Sequence, residues 1–126
     1  MKLRILGSGT SSGVPRIGND WGSVDPAEPK NRRLRAAALA TLGSRRLLID
    51  AGPDLREQLN AAGVGEIDHV ILTHDHADHI HGLDDLRQVA HNLGDQVPVH
   101  GRVEMFERLK PRFRYLFEGN SLYPAV

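Results

Sequence analysis

Val70-Ile71-Leu72-Thr73-His74-Asp75-His76-Ala77-Asp78-His79 decides how the rest of the chain is read. Its first three residues are a short apolar run of the kind that forms a buried strand. Three imidazoles and a carboxylate follow at the C-terminal end of that strand, where ligand sites in α/β sheets tend to lie. Packed this closely they repel one another once protonated, and burial alone gives them little. Imidazole and carboxylate together suit Zn, Mn or Fe. In an extended segment, side chains two apart point the same way, so His74 and His76 converge on one ion. Asp78 and His79, adjacent and beyond a turn, are placed for a second. Two-metal hydrolytic sites hold their ions about 3.5–4 Å apart and clamp a bridging hydroxide and a phosphoryl or carbonyl oxygen. The competing reading is a His-rich surface loop. The strand before the run and the amphipathic helix after it argue against that.

His-x-His-x-Asp-His after a strand resembles the signature of the metallo-β-lactamase superfamily, and the neighbouring motifs narrow the likeness. Gly7-Ser8-Gly9-Thr10-Ser11-Ser12-Gly13-Val14-Pro15 follows the first strand. Asn31-Arg32-Arg33 precedes the second, Asp50-Ala51-Gly52-Pro53-Asp54 ends the third, and His81-Gly82-Leu83-Asp84-Asp85-Leu86-Arg87 follows the metal run. Together they resemble the branch that holds the cyclic-phosphate phosphodiesterase of the carbon–phosphorus lyase pathway, with tRNA 3′-processing endonucleases as more distant relatives. The resemblance spans essentially the whole chain. It implies an α/β (α+β) fold, the N-terminal half of an αβ/βα sandwich, with a mixed sheet carrying helices on one face. Members of that branch are longer, with two similar halves packed sheet to sheet and the metals at the edge between them. The resemblance also implies that a His, a bridging Asp and another His complete the site from the second half. Beyond the motif this sequence offers only His81, His91 and His100 as further histidines. Residues 1–126 are therefore expected to form a single domain that is half of a dinuclear hydrolase. It is either truncated or completed by another chain.

Length and composition fit that expectation. A chain of 126 residues lies within the usual domain range and can bury about two-thirds of its unfolded surface. It is 40% apolar and 25% charged, the proportions of a globular protein. The formal net charge is zero, so no global field draws it to nucleic acid or membrane. No apolar run approaches a membrane span, and residues 1–6 are too short for a signal peptide. The absence of cysteine excludes disulfides, and a cytoplasmic location is expected. Many relatives carry a Cys-rich structural zinc loop after the glycine segment. Here residues 18–25 hold no thiolate, and Trp21 is expected to pack that loop instead.

Local patterning gives an alternating series. Residues 2–6 read as a strand, and 7–35 as a long loop of the kind that is usually functional. Residues 36–42 and 46–49 read as a hairpin turned at Gly43-Ser44. Residues 53–62 form a helix stopped by Gly63, and 68–72 the strand that delivers the metal run. Leu83, Leu86, Val89, Ala90 and Leu93 space a second helix ended by Gly94. Residues 97–100 are a short strand, 102–109 a helix stopped by Pro111, 113–117 a strand, and 118–126 irregular.

Several residues carry competing readings. The resemblance gives Asp50 an orienting role towards the His loop; a turn-forming Asp before Gly52 is the alternative. His81 either touches substrate phosphate or the outer shell of the metals, or is a packed or capping histidine. Asp84 and Asp85 open a helix, where acids are favoured, with Arg87 pairing one of them. His91 and His100 read as ordinary residues. Gly7-x-Gly9 lacks the spacing and the helix of a dinucleotide fingerprint. Arg32, Arg33 and Arg35 read as a solvated strand flank rather than a phosphate contact.

The function so implied is a metal-dependent hydrolase, a phosphodiesterase acting on a small cyclic phosphodiester or nucleotide. Two divalent ions, Zn or Mn, are held through His74, His76, Asp78 and His79. Asp78 ligates one ion and helps orient the hydroxide they share. An alternative is a catalytically incompetent half-domain that binds metal weakly and associates through its exposed sheet face, as a homodimer or with a separate chain. A tRNA-processing-type endonuclease or another ester or lactam hydrolase of the superfamily is the third.

Overall fold

A computed structural model describes residues 1–119. Strands β1 (Lys2–Gly7), β2 (Ala37–Leu42), β3 (Arg45–Ile49), β4 (His69–Ile71) and β5 (Val99–His100) form one five-stranded sheet in sequence order. β1–β2 and β2–β3 pair antiparallel, β3–β4 and β4–β5 parallel. Gly43, at φ 60°, takes the left-handed position that the tight β2–β3 turn needs. The mixed sheet with its helices is the α/β half-sandwich that the sequence implies.

Alternation assigns the two faces. Leu39, Leu48, Val70 and Val99 lie opposite one another across four strands. Leu48 and Val70 are fully buried. On this side pack helix α1 (Leu55–Ala62) through Leu55 and Leu59, and α3 (Leu86–Leu93) through Leu86, Val89 and Ala90. Helix α4 (Val103–Arg112) adds Met105 and Leu109. The other face is apolar but open: Leu3 is 59% exposed, Ile5 60% and Ile71 38%. Leu47 and Ile49, in register with the same rows, are half-buried.

Asp54 stands where a helix N-cap belongs, yet its carboxylate makes no cap bond to α1. It accepts instead from the Arg35 amide and guanidinium, both at 2.7 Å. The Gly63 (φ 68°) and Gly94 (φ 72°) stops are where glycine spacing puts them. The second expected helix is divided: Leu83–Asp85 is a 3-10 turn and α3 begins at Leu86. A short helix α2 (Ala77–Ile80) precedes it, formed by the metal run itself.

The last described segment departs from expectation. Pro111 does not stop α4 but lies inside it. A proline in the last turn removes only one late hydrogen bond, and the bend follows at Phe113 (φ −121°, ψ 33°). Residues 113–117 are not a strand. Arg114–Glu118 is helix α5, because one turn of helix carries Leu116 into the core. Phe113, Tyr115 and Phe117 favour a strand by local preference, but tertiary burial overrides that preference. Glu118 ends this helix rather than opening an irregular tail, and residues 120–126 of that expected tail lie outside the described residues. Among the described residues no helix is long and apolar enough to cross a membrane.

Candidate metal centre

The chain leaves β3 through Asp50, a non-glycine residue at φ 63°. Asp tolerates the left-handed region better than most residues because its short polar side chain bonds locally. The turn aims a nearly buried carboxylate, 7% exposed, across the C-terminal ends of β3 and β4. Asp50 Oδ1 accepts from the Thr73 amide at 2.8 Å and Oδ2 from His79 Nδ1 at 2.8 Å. The Thr73 hydroxyl donates to the same carboxylate at 2.9–3.0 Å. The two readings of Asp50 thus coincide, since it makes the turn and also reaches the His loop.

These bonds fix proton positions. A carboxylate only accepts, so His79 donates its Nδ1–H, which in the neutral ring leaves the lone pair on Nε2. Thr73 has one hydroxyl proton, given to Asp50, so its 2.9 Å contact with His74 Nδ1 is donated by His74. The neutral His74 ring then also has its lone pair on Nε2. Both rings present the nitrogen that a metal takes, which is how histidine ligands are normally set by their outer partners.

The backbone holds the loop as closely as the side chains do. The Ala51 amide donates to the His79 carbonyl, and the Gly82 amide to the Ala51 carbonyl, both at 2.8 Å. Gly52 lies so near the Asp78 carbonyl that any Cβ there would collide with it. We expect Gly52→Ala to lower stability by about 1–3 kcal/mol through overpacking, read from the urea midpoint at unchanged slope.

The spacing argument placed two donor pairs apart. The fold draws them together, with the His74 ring centroid 4.6 Å from His76 and 4.0 Å from His79. Asp78 Oδ2 lies 3.3 Å from His79 Nε2. Helix α2 curls the second pair back over the first. Among the described residues, no group of three or more His, Asp or Glu side chains is disposed to hold one ion.

His81 lies apart from this cluster. Its Nε2 is 3.0 Å from Arg112 Nη2 and its ring stands edge-on to Phe113. Asp84 pairs with Arg87 at 3.2 Å. His100 shares a 3.0 Å contact with His69 on the neighbouring strand. Arg35 is held by Asp54, and Arg32 lies 5.3 Å over the Trp21 ring. Two participants escaped the sequence reading. Thr73 links Asp50 to His74. Arg108, on α4, donates from Nε to Asp75 Oδ2 at 2.7 Å. That hydrogen bond holds the Asp75 carboxyl below its ordinary pKa of 3.8. Beside this pair a cavity of about 670 Å³ opens between His74 and the start of α4, bordered by Arg102 and Glu104.

Residues 45–126 match the family described as a beta-lactamase superfamily domain. The chain belongs to the metallo-β-lactamase superfamily. Its fold also superposes on a crystal structure of a diphosphatase from the PhnP family (TM-score 0.84, 41% identity), covering 92% of this chain and 47% of that one. Zinc-bound PqqB from Methylobacterium extorquens is similar over 88% of this chain and 40% of its own (TM-score 0.67, 25% identity). An octanoyltransferase of Porphyromonas gingivalis is 37% identical over the whole chain, which spans 25% of that protein. The chain thus spans less than half the length of each of these proteins. It corresponds to the N-terminal half of a metallo-β-lactamase fold of the PhnP type. Divalent metal accords with these neighbours, and the chain's own donor set fits it. Three imidazoles and a carboxylate gather at a sheet end, with the Nε2 atoms of His74 and His79 left to bind.

Proposed function

We propose that this chain supplies the N-terminal half of a metal-dependent phosphodiesterase site whose substrate is a small, cyclic or linear, phosphodiester or nucleotide. The observation that supports the reading is the Asp50 network, which holds the His74 and His79 rings through Nδ1 and leaves Nε2 of each for a ligand role. His74 and His76 would hold one ion and Asp78 and His79 a second, zinc or manganese. Such ions supply Lewis acidity, lowering the pKa of water and drawing charge from phosphoryl oxygens. Asp50 keeps the two imidazoles in their ligand tautomers. Thr73 passes that constraint to His74. Arg108 ties Asp75, and with it the loop, to α4. The group that protonates the leaving alkoxide is assigned to the second half of the fold, and a cysteine-free chain suits the cytoplasm.

A second reading rests on the open sheet face and on the lack of a three-donor cage among the described residues. In it the chain alone is inactive and acts only once another αβ half, or a second copy, covers that face. One experiment separates the two readings. Metal content is measured after removal of loose metal, alongside hydrolysis of bis(p-nitrophenyl) phosphate with and without chelator. Tightly held metal with chelator-sensitive turnover supports an active chain. Weakly held metal without turnover supports the incomplete half. Turnover indifferent to chelator sinks both.

A further inference from the structure

The open face of the sheet carries a pair of imidazoles that the histidine run does not use. Parallel pairing sets His69 opposite Leu47 and His100 opposite Ile71. Val70 and Val99, the next residues on each strand, turn to the core side. Alternation therefore puts both imidazoles on the face that Leu3, Ile5 and Ile71 leave open. His69 Nδ1 lies 3.0 Å from His100 Nε2, with ring centroids 5.2 Å apart and planes inclined by 46°. Both residues are exposed. Among the described residues neither ring has another hydrogen-bond partner. The adjacent carboxylate, Asp68, is taken by the Arg45 guanidinium at 2.9 Å and the Arg46 amide at 2.7 Å.

One N–H···N bond between exposed rings stabilises a fold by about 1 kcal/mol at most, and two facing imidazoles repel once protonated. The separation suits another use. Imidazole nitrogens bind zinc at about 2.0–2.1 Å, which sets two ligands of one ion about 2.9–3.4 Å apart, from right-angled to tetrahedral geometry. The 3.0 Å contact lies in that range, so neither strand has to move. Small rotations of two exposed rings bring both lone pairs onto an ion beside the N···N line.

We propose that His69 Nδ1 and His100 Nε2 form a metal site of their own, a two-imidazole chelate for zinc or another late first-row divalent cation. Among the described residues no third His, Asp or Glu is disposed to share the ion, so water fills its remaining positions. In the metal-free pair one of the facing nitrogens bears the proton of the hydrogen bond. On binding, that proton passes through solvent to the far nitrogen of the same ring. Both rings stay neutral, and no net proton is released. Residues 73–79 take no part, so the chelate does not depend on the phosphodiesterase reading.

The test uses the chelator-treated full chain, titrated with zinc and followed through imidazole ¹⁵N resonances. His69 Nδ1 and His100 Nε2 should move to metal-bound shifts together, at the same zinc concentration. His100→Phe keeps a ring on β5 and removes the donor. It should weaken zinc at His69 at least tenfold and leave the zinc response of His74 and His79 unchanged. His69→Phe, read at His100, serves should the first variant fail to fold. Rings that give no response to excess zinc, or a His69 that binds zinc as tightly without His100, would overturn the chelate.

Discussion

Asp50→Asn is expected to weaken metal binding by about 10–100-fold, the usual cost of losing the partner that orients a histidine ligand. The folded chain itself should lose only about 1–2 kcal/mol. The two effects separate because of what Asn changes. It tolerates the positive φ at this position, so the turn out of β3 persists. It still offers one oxygen to the Thr73 amide. Its NH₂ group, however, must donate where a carboxylate oxygen accepted. Facing an amide donor, His79 shifts its proton from Nδ1 to Nε2, and the lone pair that faced Asp78 is lost. Asp50→Ala removes every acceptor, leaves Thr73 and His79 donors unpaired, and puts a Cβ-bearing residue with no local hydrogen bond at φ 63°. About 3 kcal/mol of destabilisation is expected. Imidazole ¹⁵N shifts, a zinc titration and urea unfolding read the three consequences separately. An Asp50→Asn chain that binds zinc as tightly as the parent would remove Asp50 from the positioning role.

That prediction also marks how far sequence could reach. The histidine run could be read as a candidate metal site because its chemistry is local: three imidazoles in six residues after an apolar strand have few uses. The helices around Leu55 and Leu86 were legible because their apolar spacing and glycine stops are local too. The Thr73 bridge was not, since a threonine before a histidine carries no signal until Asp50, 23 residues earlier, is brought beneath it. Arg108 was hidden for the same reason, reaching Asp75 across 33 residues. The spacing rule for extended segments failed to foresee how close His79 comes to His74. The strand ends before the motif does, and α2 starts at Ala77. Residues 113–117 misled because their aromatic content describes what they pack against, not the backbone that carries them there.

The basic cluster shows the converse. As a string of residues, Arg32, Arg33 and Arg35 looked like one solvated flank. The structure divides them by partner: Arg35 is neutralised by Asp54, whereas Arg32 and Arg33 are held by a ring and a hydroxyl. Which charges remain available is a property of contacts, and no spacing rule reports it.

Ile5→Glu combined with Ile71→Glu is expected to leave the chain's own stability within about 0.5 kcal/mol, the usual range for exposed positions. Ile5 is 60% exposed and Ile71 38%, so little burial is lost in the chain alone. Association is another matter. The two residues lie on the face shared with Leu3, Leu47 and Ile49, whose apolar character has no explanation in the isolated chain, where it stands open to water. If a second αβ half or a second copy covers this face, two carboxylates would be buried without partners. The interface should then weaken at least a hundredfold, equivalent to about 2.7 kcal/mol. Sedimentation velocity over a wide concentration range reads the effect for a second copy, and the same variants in a chain carrying both halves read it for the covering half. Double variants that assemble like the parent would mean that the open face is not the interface. Loss of assembly with metal binding weakened in step would locate the missing ligands across this face, and would make completion of the site a consequence of covering the sheet.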